Sequence, residues 1–205
     1  MRSAAAADEM PRDGASEIAL VGRSNVGKSS LINALVRQTV ARTSAAPGKT
    51  RLANIYRVTR GGGPALYLVD LPGYGYARGG RDAAMKFEML TAAYFGRASQ
   101  SDRASRAGGD TEFFPGLPDL SALLLVDARH PGLDSDRAAW QWLTANIDRC
   151  AVVAAKIDKL ARGERIRALR SLESVLKTSV LPVSAVTGEG LDELWKLIDK
   201  TTTFG

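Results

Sequence analysis

Apolar residues in this chain form five short, nearly continuous runs. They are Ile18–Val21, Ala65–Val69, Leu120–Val126, Ala151–Ala155 and Val180–Val183. Continuous runs of this length are typical of parallel strands that are covered on both faces. The segment Leu52–Thr59 alternates apolar and polar positions instead, which predicts an edge strand that leads into a turn at 61–64.

Segments with helical spacing lie between these runs. Apolar residues recur every three or four positions at 31–36, Met85–Tyr94, Asp134–Ile147, 166–176 and Leu191–Ile198. Asp134 or Ser135 is the N-cap that the pattern predicts for the third of these helices. Alternating strands and helices predict an α/β fold with three αβα layers, built on a mostly parallel six-stranded sheet with one antiparallel edge strand.

Two segments break this alternation. Residues 1–16 are small and polar, which predicts a disordered N-terminal tail, and residues 98–119 are rich in Ser, Gly and Arg, which predicts an inserted mobile loop. The remainder, 17–205, is predicted to be one domain. No apolar run is long enough to cross a bilayer and no export signal is visible, so we expect a cytoplasmic protein; nothing in the sequence requires more than a monomer.

Composition excludes two classes of protein. The 205 residues include one cysteine, Cys150, and one histidine, His130, which is too few for a disulfide scaffold or a structural zinc site. The formal net charge of +6 favours an anionic partner such as nucleic acid. Arginine-rich usage is equally what a GC-rich genome would encode, and both readings stay open.

A phosphate-binding pattern lies directly between the first strand and the first helix. Its residues are Gly22, Arg23, Ser24, Asn25, Val26, Gly27, Lys28 and Ser29. Glycines let backbone N–H groups converge on phosphate oxygens, and the following helix presents its positive end. Lys28 is placed to reach the terminal phosphates, and the Ser29 hydroxyl is a ligand suited to Mg²⁺.

Two further segments fit a triphosphate and its metal. Asp70, Leu71, Pro72 and Gly73 end the second buried strand, where the carboxylate can hold Mg²⁺ and the Gly73 N–H can meet the γ-phosphate. The loop Thr43–Thr50 is rich in small residues and ends in a hydroxyl, so it can become ordered when Thr50 reaches the metal. Lys28, Thr50 and Gly73 are therefore the predicted catalytic residues.

The ends of the last two strands predict a guanine site. They carry Ala155, Lys156, Ile157 and Asp158, and then Val183, Ser184 and Ala185. The Asp158 carboxylate can accept from both guanine donors, whereas adenine has no matching donor pair and would leave the acid unpaired. Lys156 can lie along the base, and the Ala185 amide can donate to the guanine carbonyl.

Four stretches of this sequence resemble the EngB (YihA/YsxC) family of bacterial GTPases, within the TrmE-Era-EngA-like group. They are GRSNVGKSSLINAL, TSAAPGKT, VDLPGYGYA and DARHPGLDSD, and the resemblance runs from about residue 16 to the C-terminus. It implies a P-loop GTPase domain in which Ser29, Thr50 and Asp70 hold Mg²⁺. It also implies a nucleotide-sensing switch formed by Gly48, Lys49, Thr50, Arg51 and Leu52.

The resemblance further implies a role in ribosomal subunit assembly, with rRNA and ribosomal proteins as partners, and in normal septation during cell division. From the same resemblance we take the hypothesis that a potassium ion binds near Asn25. Ala155 departs from the family, which has Thr there, so a side-chain hydrogen bond worth about 0.5–1.5 kcal/mol is expected to be missing. A metabolic phosphotransferase and a scaffold in which the nucleotide is only structural are the alternatives.

The residue after Gly73 is Tyr74, where many GTPases have the glutamine that orients the attacking water. We therefore expect purified protein alone to hydrolyse GTP slowly in buffer with sodium as its only monovalent cation. Phosphate release measures this rate, and a partner or a different monovalent cation should raise it. Rapid turnover of the isolated protein in sodium buffer would contradict the expectation.

Overall fold

The computed structural model of the chain describes residues 2–4, 11, 13–41, 53–74, 94–96 and 120–202. Within these ranges the strands are β1 (Arg2–Ala4), β2 (Glu17–Gly22), β3 (Ala53–Val58), β4 (Leu66–Asp70), β5 (Leu120–Asp127), β6 (Cys150–Ala155) and β7 (Val180–Pro182). The long helices are α1 (Lys28–Val36), α2 (Asp134–Asn146), α3 (Arg162–Leu176) and α4 (Leu191–Thr202). A short 3₁₀ turn covers Ile157–Lys159.

These strands form one sheet in the order β1-β3-β4-β2-β5-β6-β7. The central strand β2 pairs in parallel with both β4 and β5, and β6 and β7 continue the parallel arrangement. Only β3 runs antiparallel to β4. The predicted mostly parallel six-stranded sheet with one antiparallel strand is confirmed, and β1 adds a short seventh strand.

The structure describes residues 2–4, 11 and 13–16 of the segment predicted to be a disordered tail, residues 1–16. Arg2–Ala4 pairs antiparallel with β3, so β3 lies inside the sheet rather than at its edge. Closer to β2, the Tyr67 hydroxyl donates to the Asp13 carboxylate at 2.7 Å, and the Tyr67 N–H donates to the Ser16 carbonyl at 2.8 Å. The outer edge of β3 offers a row of unpaired backbone groups, which an extended segment of any composition can satisfy.

Helices cover both faces of the sheet and complete the predicted three layers. On one face α1 and α4 bury a cluster that includes Leu31, Leu35, Leu194 and Ile198. On the other face α2 and α3 bury a cluster that includes Trp140, Leu143, Leu172 and Leu176. The indole N–H of Trp140 donates to the carbonyl of Leu176 at 3.0 Å, so this buried aromatic keeps its polar atom paired.

The start of α2 corrects one sequence prediction. The N-cap residue is Leu133, so the N-cap predicted at Asp134 or Ser135 is wrong. No described side-chain hydrogen bond caps the helix at this end. Asp134 and Asp136 lie in the first turn, where carboxylates interact favourably with the helix dipole and can replace a cap.

Other predictions fall outside the described residues. They include the predicted loop at 98–119 and most of the predicted helix Met85–Tyr94, of which only Tyr94 is described. Over the ranges that the structure does describe, no helix combines the length and apolar character needed to span a bilayer.

Leu124 on β5 is fully buried, so Leu124→Ala should lower the free energy of unfolding by about 2–5 kcal/mol through lost transfer energy and a residual cavity. Ile166 on α3 is 45% exposed, and Ile166→Ala is the matched control with an expected change within about 0.5 kcal/mol. Urea denaturation measures both. Equal losses in the two variants would contradict this assignment of the core.

Candidate functional site

The parallel strands β2, β4, β5, β6 and β7 end at the same edge of the sheet, and open α/β sheets bind ligands at that edge. The predicted site residues that the structure describes begin at the last residues of β2, β4 and β6 or follow directly after β7. Gly48, Lys49, Thr50, Arg51 and Leu52 lie outside the described residues.

The loop from Gly22 to Ser29 turns sharply between β2 and α1. Asn25 and Gly27 have positive φ values of 64° and 116°. The turn therefore needs left-handed backbone geometry at both positions, which glycine adopts without steric cost. A Cβ on Gly22 would lie 2.8 Å from the Leu125 carbonyl oxygen, so only glycine lets the loop leave β2 so close to β5. No described side chain caps α1 at Gly27, which leaves the positive end of this helix open to an anion.

Lys28 brings a buried cation to this loop. Lys28 is 8% exposed, and its ammonium donates to the Gly22 carbonyl oxygen at 3.2 Å. Burial lowers the pKa of Lys28, and the nearby Asp70 carboxylate opposes that shift. Since a buried charge is costly without a close counter-charge, a phosphate oxygen bound here would stabilise the charged ammonium.

Ser29 and Asp70 form a polar pair on the other side of the loop. The Ser29 hydroxyl donates to Asp70 Oδ2 at 2.7 Å, and Oδ1 of the same buried carboxylate has no hydrogen-bond partner among the described residues. Burial raises the pKa of Asp70, while Lys28 and the Ser29 hydrogen bond counteract part of that rise. A hydroxyl and an incompletely satisfied carboxylate are donors that suit Mg²⁺.

A cation at Ser29 and Asp70 would need further oxygen ligands. Among the residues that the structure describes, no group of three or more His, Cys, Asp or Glu side chains is placed to hold a metal ion. Mg²⁺ is usually held by one or two protein oxygens together with substrate phosphates and water. The donor set therefore fits a metal that arrives with a phosphate ligand.

The segment after β4 is hydrogen-bonded to the phosphate loop. The Ser24 N–H donates to the Tyr74 carbonyl at 3.0 Å, and the Tyr74 N–H donates to the Gly22 carbonyl at 3.3 Å. Between these bonds, a Cβ on Gly73 would lie 2.6 Å from the Ser24 nitrogen. Gly73 therefore lies against the loop because it has no side chain, and the Ser24 N–H is already used within the protein.

Tyr74 also reaches α2 through its side chain. Its hydroxyl donates to Asp136 Oδ1 at 2.8 Å, and both residues are buried. Burial, together with the neighbouring Asp136 carboxylate, raises the pKa of Tyr74. Because this hydroxyl is engaged below the loop, Tyr74 does not replace a water-orienting glutamine in the arrangement seen here.

The predicted guanine-binding residues come together at the ends of β6 and β7. The Ser184 hydroxyl donates to Asp158 Oδ1 at 2.8 Å and accepts from the N–H groups of Val186 and Thr187. That hydrogen bond lowers the pKa of Asp158, so the carboxylate is ionised at neutral pH. The N–H of Ile157 also approaches the Val183 carbonyl at 3.4 Å, which joins the two segments.

Sequence reasoning missed two acids at this edge. Asp136 and Asp127 both belong to the stretch DARHPGLDSD, which the sequence singled out without a role for either carboxylate. Asp127 ends β5 and binds the Lys156 ammonium at 2.9 Å. A carboxylate at the end of a buried strand, like Asp70 and unlike a surface acid, is the signal that could have found Asp127.

The chain is similar in sequence to known GTP-binding proteins. A family model described as "50S ribosome-binding GTPase" matches residues 17–105. The chain is 38% identical to the probable GTP-binding protein EngB of Lachnospira eligens over 89% of this chain and 79% of that protein. The chain is also 37% identical to the probable GTP-binding protein EngB of Lacticaseibacillus casei, over 97% of this chain and 92% of that protein.

Two solved structures show the same fold. Era in complex with MgGDPNP and nucleotides 1506–1542 of 16S ribosomal RNA superposes with a TM-score of 0.69 at 23% identity, over 94% of this chain and 58% of that chain. The crystal structure of a probable GTP-binding protein EngB gives a TM-score of 0.55 at 22% identity, over 91% of this chain and 98% of that chain.

Gly73→Ala should destabilise the nucleotide-free protein by about 1–3 kcal/mol, because the new methyl group overlaps the Ser24 backbone. Gly96→Ala is the matched control, since a Cβ there meets nothing within 4 Å. Urea denaturation measures the free energy of unfolding of each variant. A Gly73→Ala protein as stable as Gly96→Ala would show that the two segments are not held this close.

Proposed function

The chain belongs to the EngB family of GTP-binding proteins and is a GTPase, and on that premise we propose that it acts as a GTP-controlled switch in the assembly of a ribosomal subunit. Through that role it would be needed for normal cell division and septation. The observation that carries the proposal is the direct contact between the loop at Gly22–Ser29 and the segment Asp70–Tyr74. A γ-phosphate bound where the two segments meet would contact both.

In this proposal the nucleotide binds across the carboxyl edge of the sheet. The phosphates lie on Gly22–Ser29 with Lys28 as their buried counter-charge, and the guanine lies between Ala155–Asp158 and Val183–Ala185. Asp158 is already ionised and oriented by Ser184, so the acceptor for the guanine donors is pre-organised. This pre-organised acid supports guanine over adenine.

Mg²⁺ is the cofactor that the site fits best. Ser29 and Asp70 would hold it together with Thr50, and when bound it neutralises charge on the phosphates. The orphaned Oδ1 of Asp70 supports this assignment, because a buried carboxylate oxygen without a partner costs free energy that a cation would offset.

The chain's own residues favour slow hydrolysis. Lys28 stabilises charge on the terminal phosphate, and Gly73 and Thr50 position it, but the Tyr74 hydroxyl is engaged by Asp136. The group that orients water is then supplied by a partner, or charge is supplied by a potassium ion near Asn25. Asn25 is exposed at the loop, so its side chain is accessible to such an ion.

A ribosomal subunit is the partner that the charge of the chain favours. The net charge is +6, and basic proteins gain affinity for RNA by releasing counterions. The matching family model is described as ribosome-binding, and the Era neighbour carries ribosomal RNA. Ribosomal subunits assemble in the cytoplasm, so this partner implies that the protein acts there. The proposed switch needs no more than a monomer.

Co-sedimentation with ribosomal subunits tests the switch. A non-hydrolysable GTP analogue should increase the affinity for subunits about 5- to 150-fold over GDP, the usual range of coupling between two sites. Equal pelleting in the two nucleotide states would contradict the proposal.

Asp158→Asn is the control for this experiment. The substitution exchanges an acceptor for a donor, so the variant should lose its response to the GTP analogue and respond to the matching xanthosine analogue. Restored pelleting would show that the nucleotide bound at Asp158, and not the surface charge of the chain, controls subunit binding. Retained guanine selectivity would remove Asp158 from the proposed site.

A further inference from the structure

Asp127 and Lys156 lie side by side at the carboxyl edge of the sheet. Asp127 is the last residue of β5 and pairs in register with Ala155, the last residue of β6. Lys156 follows with a φ of 64°, and its backbone turns away from the sheet there. The two side chains therefore start from adjacent strands beside the phosphate loop.

The Lys156 ammonium connects Asp127 to that loop. It donates to the Asn25 carbonyl at 2.6 Å and to Asp127 Oδ2 at 2.9 Å. Its Cε lies 3.7 Å from where a Cβ on Gly27 would be, so the stem of the lysine passes over the loop. Asn25 is the exposed residue of the loop with left-handed backbone geometry, a conformation that neighbouring contacts must stabilise.

Asp127 is itself held in place from the other side. Arg129 forms a two-pronged contact with it, through Nε to Oδ1 at 2.9 Å and through the terminal nitrogen to Oδ2 at 2.7 Å. The Arg129 backbone N–H adds a third bond to Oδ1 at 3.1 Å. Burial alone would raise the pKa of Asp127, but the hydrogen bonds from Arg129 and Lys156 outweigh it and hold the pKa well below its ordinary value. The carboxylate is therefore charged whenever the protein is folded near neutral pH.

We propose that Asp127 is a positioning residue for nucleotide binding: it holds the Lys156 ammonium on the Asn25 carbonyl and so fixes the phosphate loop. Ala155, the last residue of β6, has only a methyl side chain, which offers the loop no polar atom. The hydrogen bond from Lys156 is thus the side-chain contact from this strand end to the loop. A lysine has four rotatable bonds, so a fixed carboxylate lowers the entropy lost when its ammonium is held on one acceptor.

This inference rests on the proposed function, because it assumes that the loop holds the phosphates of a guanine nucleotide. Its test is a double-mutant cycle on the rate at which a fluorescent GDP leaves the Mg²⁺-saturated protein. Asp127→Asn removes the charge but keeps an acceptor for the Arg129 N–H. Lys156→Met removes the ammonium but keeps an apolar stem over Gly27.

We expect Asp127→Asn to increase the GDP release rate about 3- to 10-fold, the range for the net loss of one ordinary hydrogen bond. Lys156→Met should increase it at least as much, and adding Asp127→Asn to Lys156→Met should change nothing further. Independent effects that multiply in the double variant would overturn the inference, as would a GDP release rate for Asp127→Asn equal to that of the unmodified protein.

Two further variants keep the result interpretable. Asp134→Asn removes the same charge from the exposed ion pair with Arg137, and its GDP release rate should be unchanged. If Asp127→Asn does not fold, Asp127→Ser enters the same cycle, since its hydroxyl still accepts from the Arg129 N–H. Failure of the unmodified protein to bind GDP would refute the proposed function, whereas binding with an additive cycle refutes only the role of Asp127.

Discussion

Two backbone hydrogen bonds, from Ser24 to Tyr74 and from Tyr74 back to Gly22, extend the contact between β2 and β4 beyond the ends of both strands. Residues 23 and 74 form a parallel bridge there, so the phosphate loop and the segment after Asp70 behave as a continuation of the sheet. The close approach requires that position 73 carry no side chain. These bonds support the arrangement in which the Ser29 hydroxyl lies 2.7 Å from the Asp70 carboxylate, the pair of protein oxygens that would face a metal.

Two buried charged groups of the site lack a full set of partners within the described residues. Lys28 is buried with a carbonyl oxygen as its hydrogen-bond partner, and one oxygen of buried Asp70 has none among the described residues. Both arrangements cost free energy in the empty protein, because desolvated charges lose their hydration. In the proposed function, a metal-bound phosphate ligand would supply the missing partner to each group at once. Binding and local stability are therefore linked at this edge of the sheet.

Two buried acids, one on β5 and one on α2, form hydrogen bonds that hold segments of the candidate site in place. Asp136 engages the Tyr74 hydroxyl and ties the segment after β4 to a helix, while Asp127 engages Lys156 and ties the loop to the end of β5. Each contact joins residues more than 25 positions apart in the chain. Both acids belong to a single short stretch, so a local sequence serves two distant parts of the site.

The sequence by itself predicted β2 to β7, the four long helices α1 to α4, the mostly parallel sheet and the loop at Gly22–Ser29. It could do so because hydrophobic periodicity and the spacing of the loop residues are local properties. It also placed Asp70 at the end of β4 and Asp158 shortly after the end of β6. Only the tertiary structure assigned partners to Asp127 and Asp136 and paired Arg2–Ala4 with β3. Those contacts depend on which strands become neighbours, and a hydrogen bond across that distance in the chain leaves no periodic signal in the sequence.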